Sequence, residues 1–103
     1  MTTYLITRHA GARAWAEQLG LQIDRLMQHL DPEQIQPGDT VIGTLPLHLI
    51  AAICDKPARY FNLVLDVPEA LRGKELSAED MTACQARIER YEVRRVAEEE
   101  SAP

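Results

Sequence analysis

The sequence has no long apolar run, no excess of basic residues, few aromatics and only two cysteines. Each shortage excludes something. No stretch approaches the ~18 consecutive apolar residues that a membrane-spanning helix needs. The first residues, "MTTYLITRH", lack the basic start and long apolar core of a secretory signal. A cytoplasmic protein with no membrane partner is the expectation. Cys54 and Cys84 are far apart and form no C-x-x-C pair. In a reducing compartment they read as small core residues, not as a bridge or a zinc site. The formal net charge is −5. That argues against a general binder of RNA or of DNA, duplex DNA included, which would carry a basic face. It leaves room for a small anion held locally. Trp15, the single Trp, reads as a core residue rather than a base-stacking platform. No H-x-H or H-E-x-x-H pair sets a ligand spacing, so no metal is expected.

What is present fits one small domain. The chain has 103 residues, 46% hydrophobic and 26% charged, an ordinary globular balance. The domain is placed at residues 1–96. Residues 97–103, with the run Glu98 to Glu100, read as an acidic, disordered tail.

The apolar runs alternate between strand and helix character. Thr3–Thr7 reads as a short buried strand and Gly11–Leu19 as a helix stopped by Gly20. A second strand lies within Leu21–Leu30, with no clean alternation to set its register. "TVIGT", Thr40–Thr44, is a third strand. Pro46 opens a second helix, Pro46–Asp55, where its missing N–H costs nothing. "RYFNLVLDV", Arg59–Val67, is the fourth strand. Ser77 and Asp80 resemble a capping box for a last helix. Met81, Cys84, Ile88 and Tyr91 recur at helical spacing and carry that helix to Tyr91. The order predicts an α/β fold: a small Rossmann-like domain, mostly parallel sheet with helices on both faces. The dinucleotide fingerprint G-x-G-x-x-G is absent, so the fold brings no cofactor with it.

Ligands of open α/β sheets bind at the carboxyl ends of the strands. Thr7, Arg8, His9, Gly11 and Ala12 fall there after the first strand. His29 and Asp31 follow the second. Gly43, Thr44 and Leu45 follow the third, with His48 one turn into the helix. Asp66 and Arg72 follow the fourth. All three histidines thus map to one edge. A helix start presents unpaired N–H groups and attracts anions. "RHAG" adds a cation, an imidazole and a glycine to one such start. "GTLPLH" adds a hydroxyl and an imidazole to another. Side by side the two turns would make an anion cradle. For either turn alone, surface decoration and turn geometry are the favoured explanation; the two turns on one edge bring the anion cradle level with it.

Five segments together resemble a known family: "TRHAGARAWAEQLG", "HLDPEQIQPGD", "GTLPLHLIAAIC", "ARYFNLVLDVP" and "RGKELSAEDM". They are similar to the Csx-sixteen family, small accessory proteins of type III CRISPR loci. The resemblance runs from Thr3 to about Tyr91. It implies a ring nuclease that binds and cuts cyclic oligoadenylate, chiefly cyclic tetra-adenylate, and so ends the antiviral signal. It implies linear products with 2′,3′-cyclic phosphate ends. The ring's rotational symmetry suits a twofold homodimer. On this reading His9 is the general base or acid and Arg8 stabilises the phosphate. Thr7, Gly11, Ala12, Gly43, Thr44, Leu45, His48 and Arg72 contact the substrate. Two other classes stay open: a sponge that binds the messenger without cutting it, and a module that docks on another CRISPR protein.

Overall fold

The computed structural model describes residues 1–97. The expectation for the acidic tail falls, apart from Ala97, outside the described residues. Five strands form one sheet in the order β2-β1-β3-β4-β5. They are β1 (Thr3–Ile6), β2 (Arg25–Met27), β3 (Thr40–Gly43), β4 (Arg59–Val64) and β5 (Arg87–Tyr91). The first four are parallel and β5 is antiparallel to β4. Three helices accompany them: α1 (Gly11–Gln18), α2 (Leu47–Cys54) and α3 (Ala78–Ala83). The small Rossmann-like α/β architecture is therefore present, with helices on both faces.

The strand side chains alternate between two apolar layers, as the pleat requires. Leu5, Ile42 and Leu63 pack with Ala12, Trp15 and Ala16 of α1 and Met81 of α3. Tyr4, Ile6, Val41 and Tyr60 pack on the other face with Ile50 and Ile53 of α2. Trp15 is buried in the first layer. Residues packed on both faces explain why β1 and β3 are almost unbroken apolar runs.

Helix ends follow backbone chemistry. Gly20 takes a left-handed conformation, φ +84°. Its N–H donates to Glu17 O, and that of Leu21 donates to Ala16 O, which closes α1. Helix α3 starts on the expected capping box of Ser77 and Asp80. It does not continue to Tyr91 as the spacing of Met81, Cys84, Ile88 and Tyr91 implied. Gln85 adopts φ +59°. Its N–H donates to Thr82 O, and Ala86 N–H donates to Met81 O. This is the same closing motif as in α1, built without glycine. The chain then runs back as β5, with Leu63 opposite Ile88 and Tyr60 opposite Tyr91. Ile88 faces the α1 layer, while Tyr91, three residues on, lies on the other side of the sheet.

The connections create the feature that matters for function. After β1 the chain crosses through α1 on one face to reach β2. After β3 it crosses through α2 on the opposite face to reach β4. Neighbouring strands β1 and β3 thus send their connections apart. This is the topological switch point at which open α/β sheets leave a crevice.

Candidate functional site

A cleft of about 620 Å³ opens at that point, within the range of roughly 300–1,000 Å³ typical of ligand sites. It takes lining residues from the ends of all four parallel strands. One side is polar: Thr7, Arg8 and His9 after β1, and Gln28 and His29 after β2. The other is mostly apolar: Leu45, Pro46 and Leu49 around the start of α2, and Leu63, Leu65 and Val67 along the end of β4. Thr44 stands between them. Among the described residues no carboxylate lines the cleft, so its charge is basic inside an acidic protein.

The β1 end is held from several directions. Thr7 N–H donates to Met27 O at 2.9 Å, which extends the β1–β2 ladder by one residue. His9 N–H donates to Thr7 Oγ1 at 3.0 Å. Leu76 N–H donates to His9 Nδ1 at 3.3 Å. Arg8 is exposed and makes no ion pair among the described residues. It is free to meet a ligand.

The β3 end depends on Tyr60. Its hydroxyl lies 2.9 Å from Gly43 O and 2.7 Å from Asn62 Oδ1, and it accepts from Leu45 N–H at 3.2 Å. Burial pushes the phenol up to about 12, the Leu45 N–H opposes that, and Tyr91 adds to it. The group therefore remains a neutral clamp on residues 43–45. Thr44 Oγ1 donates to Leu63 O at 3.0 Å. With its proton committed there, the hydroxyl faces a ligand as an acceptor.

The two helix starts differ. At α1 the backbone donors are taken: Ala10 N–H by Glu75 Oε1 at 3.2 Å, Gly11 N–H by Leu76 O at 3.2 Å, and Ala12 N–H by His9 O at 3.1 Å. At α2, Leu49 and Ile50 N–H donate to Pro46 O, and Leu47 and His48 N–H have no partner among the described residues. The expected double cradle is therefore single, because segment 75–78 covers the first helix start.

Of the residues expected to contact a ligand, the cleft brings together Thr7, Arg8, His9, Thr44 and Leu45. It does not include Gly11, Ala12, Gly43, His48 or Arg72. Ala12 is fully buried. Gly11 sits against α3: a Cβ there would lie 2.2 Å from Ala78 N and Ser77 C. A Cβ on Gly43 would lie 2.6 Å from Ile6 O. Both glycines permit close packing. His48 is exposed on α2 beside the cleft, and Arg72 is exposed in the turn after Leu71. Among the described residues no group of three or more His, Cys, Asp or Glu could hold a metal ion. No helix among them is long and apolar enough to cross a membrane.

Over residues 4–94 the sequence matches a family described as "Putative CRISPR-associated protein (Cas_VVA1548)". The chain belongs to this CRISPR-associated family. No curated protein and no solved structure matches it. The family match covers every strand and helix that builds the cleft, from Tyr4 in β1 to the end of β5.

The sequence reading missed Glu75, Tyr60, Gln28 and the apolar wall of Leu63, Leu65 and Val67. A signal existed for the wall: "NLVLDV" places Leu63, Leu65 and Val67 two apart, on one side of an extended chain. None existed for Glu75, whose partner is 65 residues away.

Proposed function

We propose that the protein is a ring nuclease that cuts cyclic oligoadenylate, chiefly cyclic tetra-adenylate, and so silences type III CRISPR signalling. The observation that carries this reading is the two-sided cleft at the switch point of a CRISPR-associated chain. The basic side suits phosphate and the apolar side suits adenine.

Each group has a task. Arg8 holds and neutralises a phosphate with a planar, permanently charged fork. The open N–H groups of Leu47 and His48 offer a second phosphate contact. The Thr44 hydroxyl accepts from a ribose hydroxyl. The wall of Leu49, Leu63 and Leu65 takes the adenine face. The nucleophile is the substrate's own ribose 2′-hydroxyl, attacking the adjacent phosphorus. Catalysis then consists of positioning, proton transfer and stabilisation of charge on the phosphate oxygens. Neither a metal nor a cofactor is assigned. A cleft of about 620 Å³ accepts part of a tetranucleotide ring. A twofold homodimer would present two such clefts to one symmetric ligand.

Incubation with cyclic tetra-adenylate in excess EDTA, followed by chromatography, tests the proposal. The expected products are linear oligoadenylates with 2′,3′-cyclic phosphate ends. Retention without cutting would replace the enzyme by a sponge. No interaction would leave the docking module. Light scattering with and without ligand checks the dimer.

A further inference from the structure

We infer that His29 is the proton acceptor of the reaction, and that His9 is held as a hydrogen-bond donor to the reacting phosphate. This rests on the ring-nuclease reading and assigns two histidines of the same cleft to different work.

The assignment follows from one hydrogen bond. His9 Nδ1 accepts from the Leu76 N–H. In a neutral imidazole only one nitrogen accepts and the other carries the proton. His9 therefore presents Nε2–H, a donor, at its remaining edge. To take a proton at Nδ1 it would have to give up Leu76. Its backbone N–H is also committed, to Thr7 Oγ1. His9 is thus arranged to donate, not to accept.

The nearby carboxylates and His48 lie outside the lining of the cleft. Glu75 accepts from Ala10 N–H at the covered start of α1. Asp31 accepts from Glu33 N–H and caps the turn at Pro32–Gln34. His29 differs on every count. It lines the cleft and is exposed. Its ring makes no hydrogen bond among the described residues. Strand β2, which delivers it, is locked to the β1 end by Thr7 N–H donating to Met27 O. His29 and His9 therefore leave adjacent strand ends into one space. In either neutral tautomer His29 keeps one nitrogen free to accept.

The step balances without any further reagent. His29 takes the proton of the ribose 2′-hydroxyl, and the 2′-oxygen bonds to the neighbouring phosphorus. The bond from phosphorus to the 5′-oxygen breaks. The departing 5′-oxygen gains a proton from water, and His29 returns its own to solvent. His9 Nε2–H and Arg8 meet the charge on the non-bridging oxygens as it grows.

The test compares wild type, His29→Ala, His9→Ala and His9→Gln on cyclic tetra-adenylate. Wild-type cutting is the precondition, and its absence overturns the ring-nuclease reading itself. Given cutting, His29→Ala should bind the messenger within a few-fold of wild type and cut about 100-fold more slowly. Free imidazole should restore part of that rate. His9→Gln, whose amide still donates, should exceed His9→Ala, and imidazole should not rescue His9→Ala. His29→Ala cutting at the wild-type rate, or imidazole rescuing His9→Ala alone, would overturn the assignment. Nitrogen NMR of the histidine rings gives a second readout independent of activity. Neutral His9 is expected as the Nε2–H tautomer, and finding Nδ1–H contradicts the inference.

Discussion

Two strand-to-helix turns, "TRHAG" after β1 and "GTLPLH" after β3, look alike in the sequence and end up with opposite uses. Each follows a parallel strand, places a histidine near a helix start and brings a glycine and a hydroxyl. In the fold, the α1 start is a packing joint. Its donors go to Glu75, Leu76 and His9, and Gly11 lies against the start of α3. The α2 start stays open beside the cleft, with its turn clamped by the Tyr60 hydroxyl. Helix starts attract anions only while their N–H groups remain unpaired. The difference is made by a segment more than 60 residues downstream of the first turn. What the first turn loses in backbone donors it keeps in side chains, because Arg8 and His9 lie before the joint.

Substitutions can break this contrast in order of size. Gly11→Ala should have the largest effect. The new methyl group would meet backbone atoms of Ser77 and Ala78 at 2.2 Å, a clash expected at the upper end of the roughly 1–3 kcal/mol that overpacking costs. Urea unfolding should show it, and an unchanged midpoint would mean that the α1 start is open after all. Arg8→Ala should leave stability nearly unchanged, since Arg8 is exposed and unpaired. It should weaken binding of cyclic tetra-adenylate by about tenfold or more, for the loss of a charge-assisted contact. Calorimetry measures that directly. Glu75→Ala should lower stability by about 1 kcal/mol through an uncapped Ala10 N–H. It should also tighten anion binding a few-fold, because Glu75 shares a small depression with Arg8 and His9. Weaker binding would mean that Glu75 supports the site instead of covering a helix start.

The smallest effect lies at the far end of the sheet and depends on pH. Asp39 is buried and accepts from Thr2 N–H and Gln36 N–H, both at 2.9 Å. Burial opposes the charged form, yet the Gln36 and Thr2 N–H groups and the N-terminal charge prevail, and the carboxyl sits below its usual value. A depressed carboxyl binds fewer protons in the folded state than in the unfolded one. Its stabilisation is therefore complete above the unfolded value of about 3.9 and lost as pH falls through the folded value. Asp39→Asn should be less stable than wild type at pH 7, and the gap should close below about pH 4. Thermal melts across that range check the sign.

Much of this fold was legible because parallel strands buried on both faces announce themselves. "YLI", "TVIG" and "RYFNLV" became β1, β3 and β4 with small shifts at their ends. The α3–β5 region was not legible. Gln85 closes the helix where a glycine would have signalled the stop, and Ile88 and Tyr91 share a helical spacing while facing opposite sides of a strand. At the cleft, Arg8, His9, Thr44 and Leu45 could be placed from strand ends alone. Gly11, Gly43 and Ala12 could not, since their role is set by what packs against them. The tautomer of His9 depends on Leu76 and is invisible to any local pattern.

Amide chemical shifts distinguish the open α2 start from the covered α1 start. Cyclic tetra-adenylate would be titrated into isotope-labelled protein under conditions that slow cutting. Large shifts are expected at the Leu47 and His48 amides and at the Arg8 side chain, with Gly11 and Ala12 nearly still. Equal or larger shifts at Gly11 and Ala12, with Leu47 and His48 unmoved, would contradict that distinction.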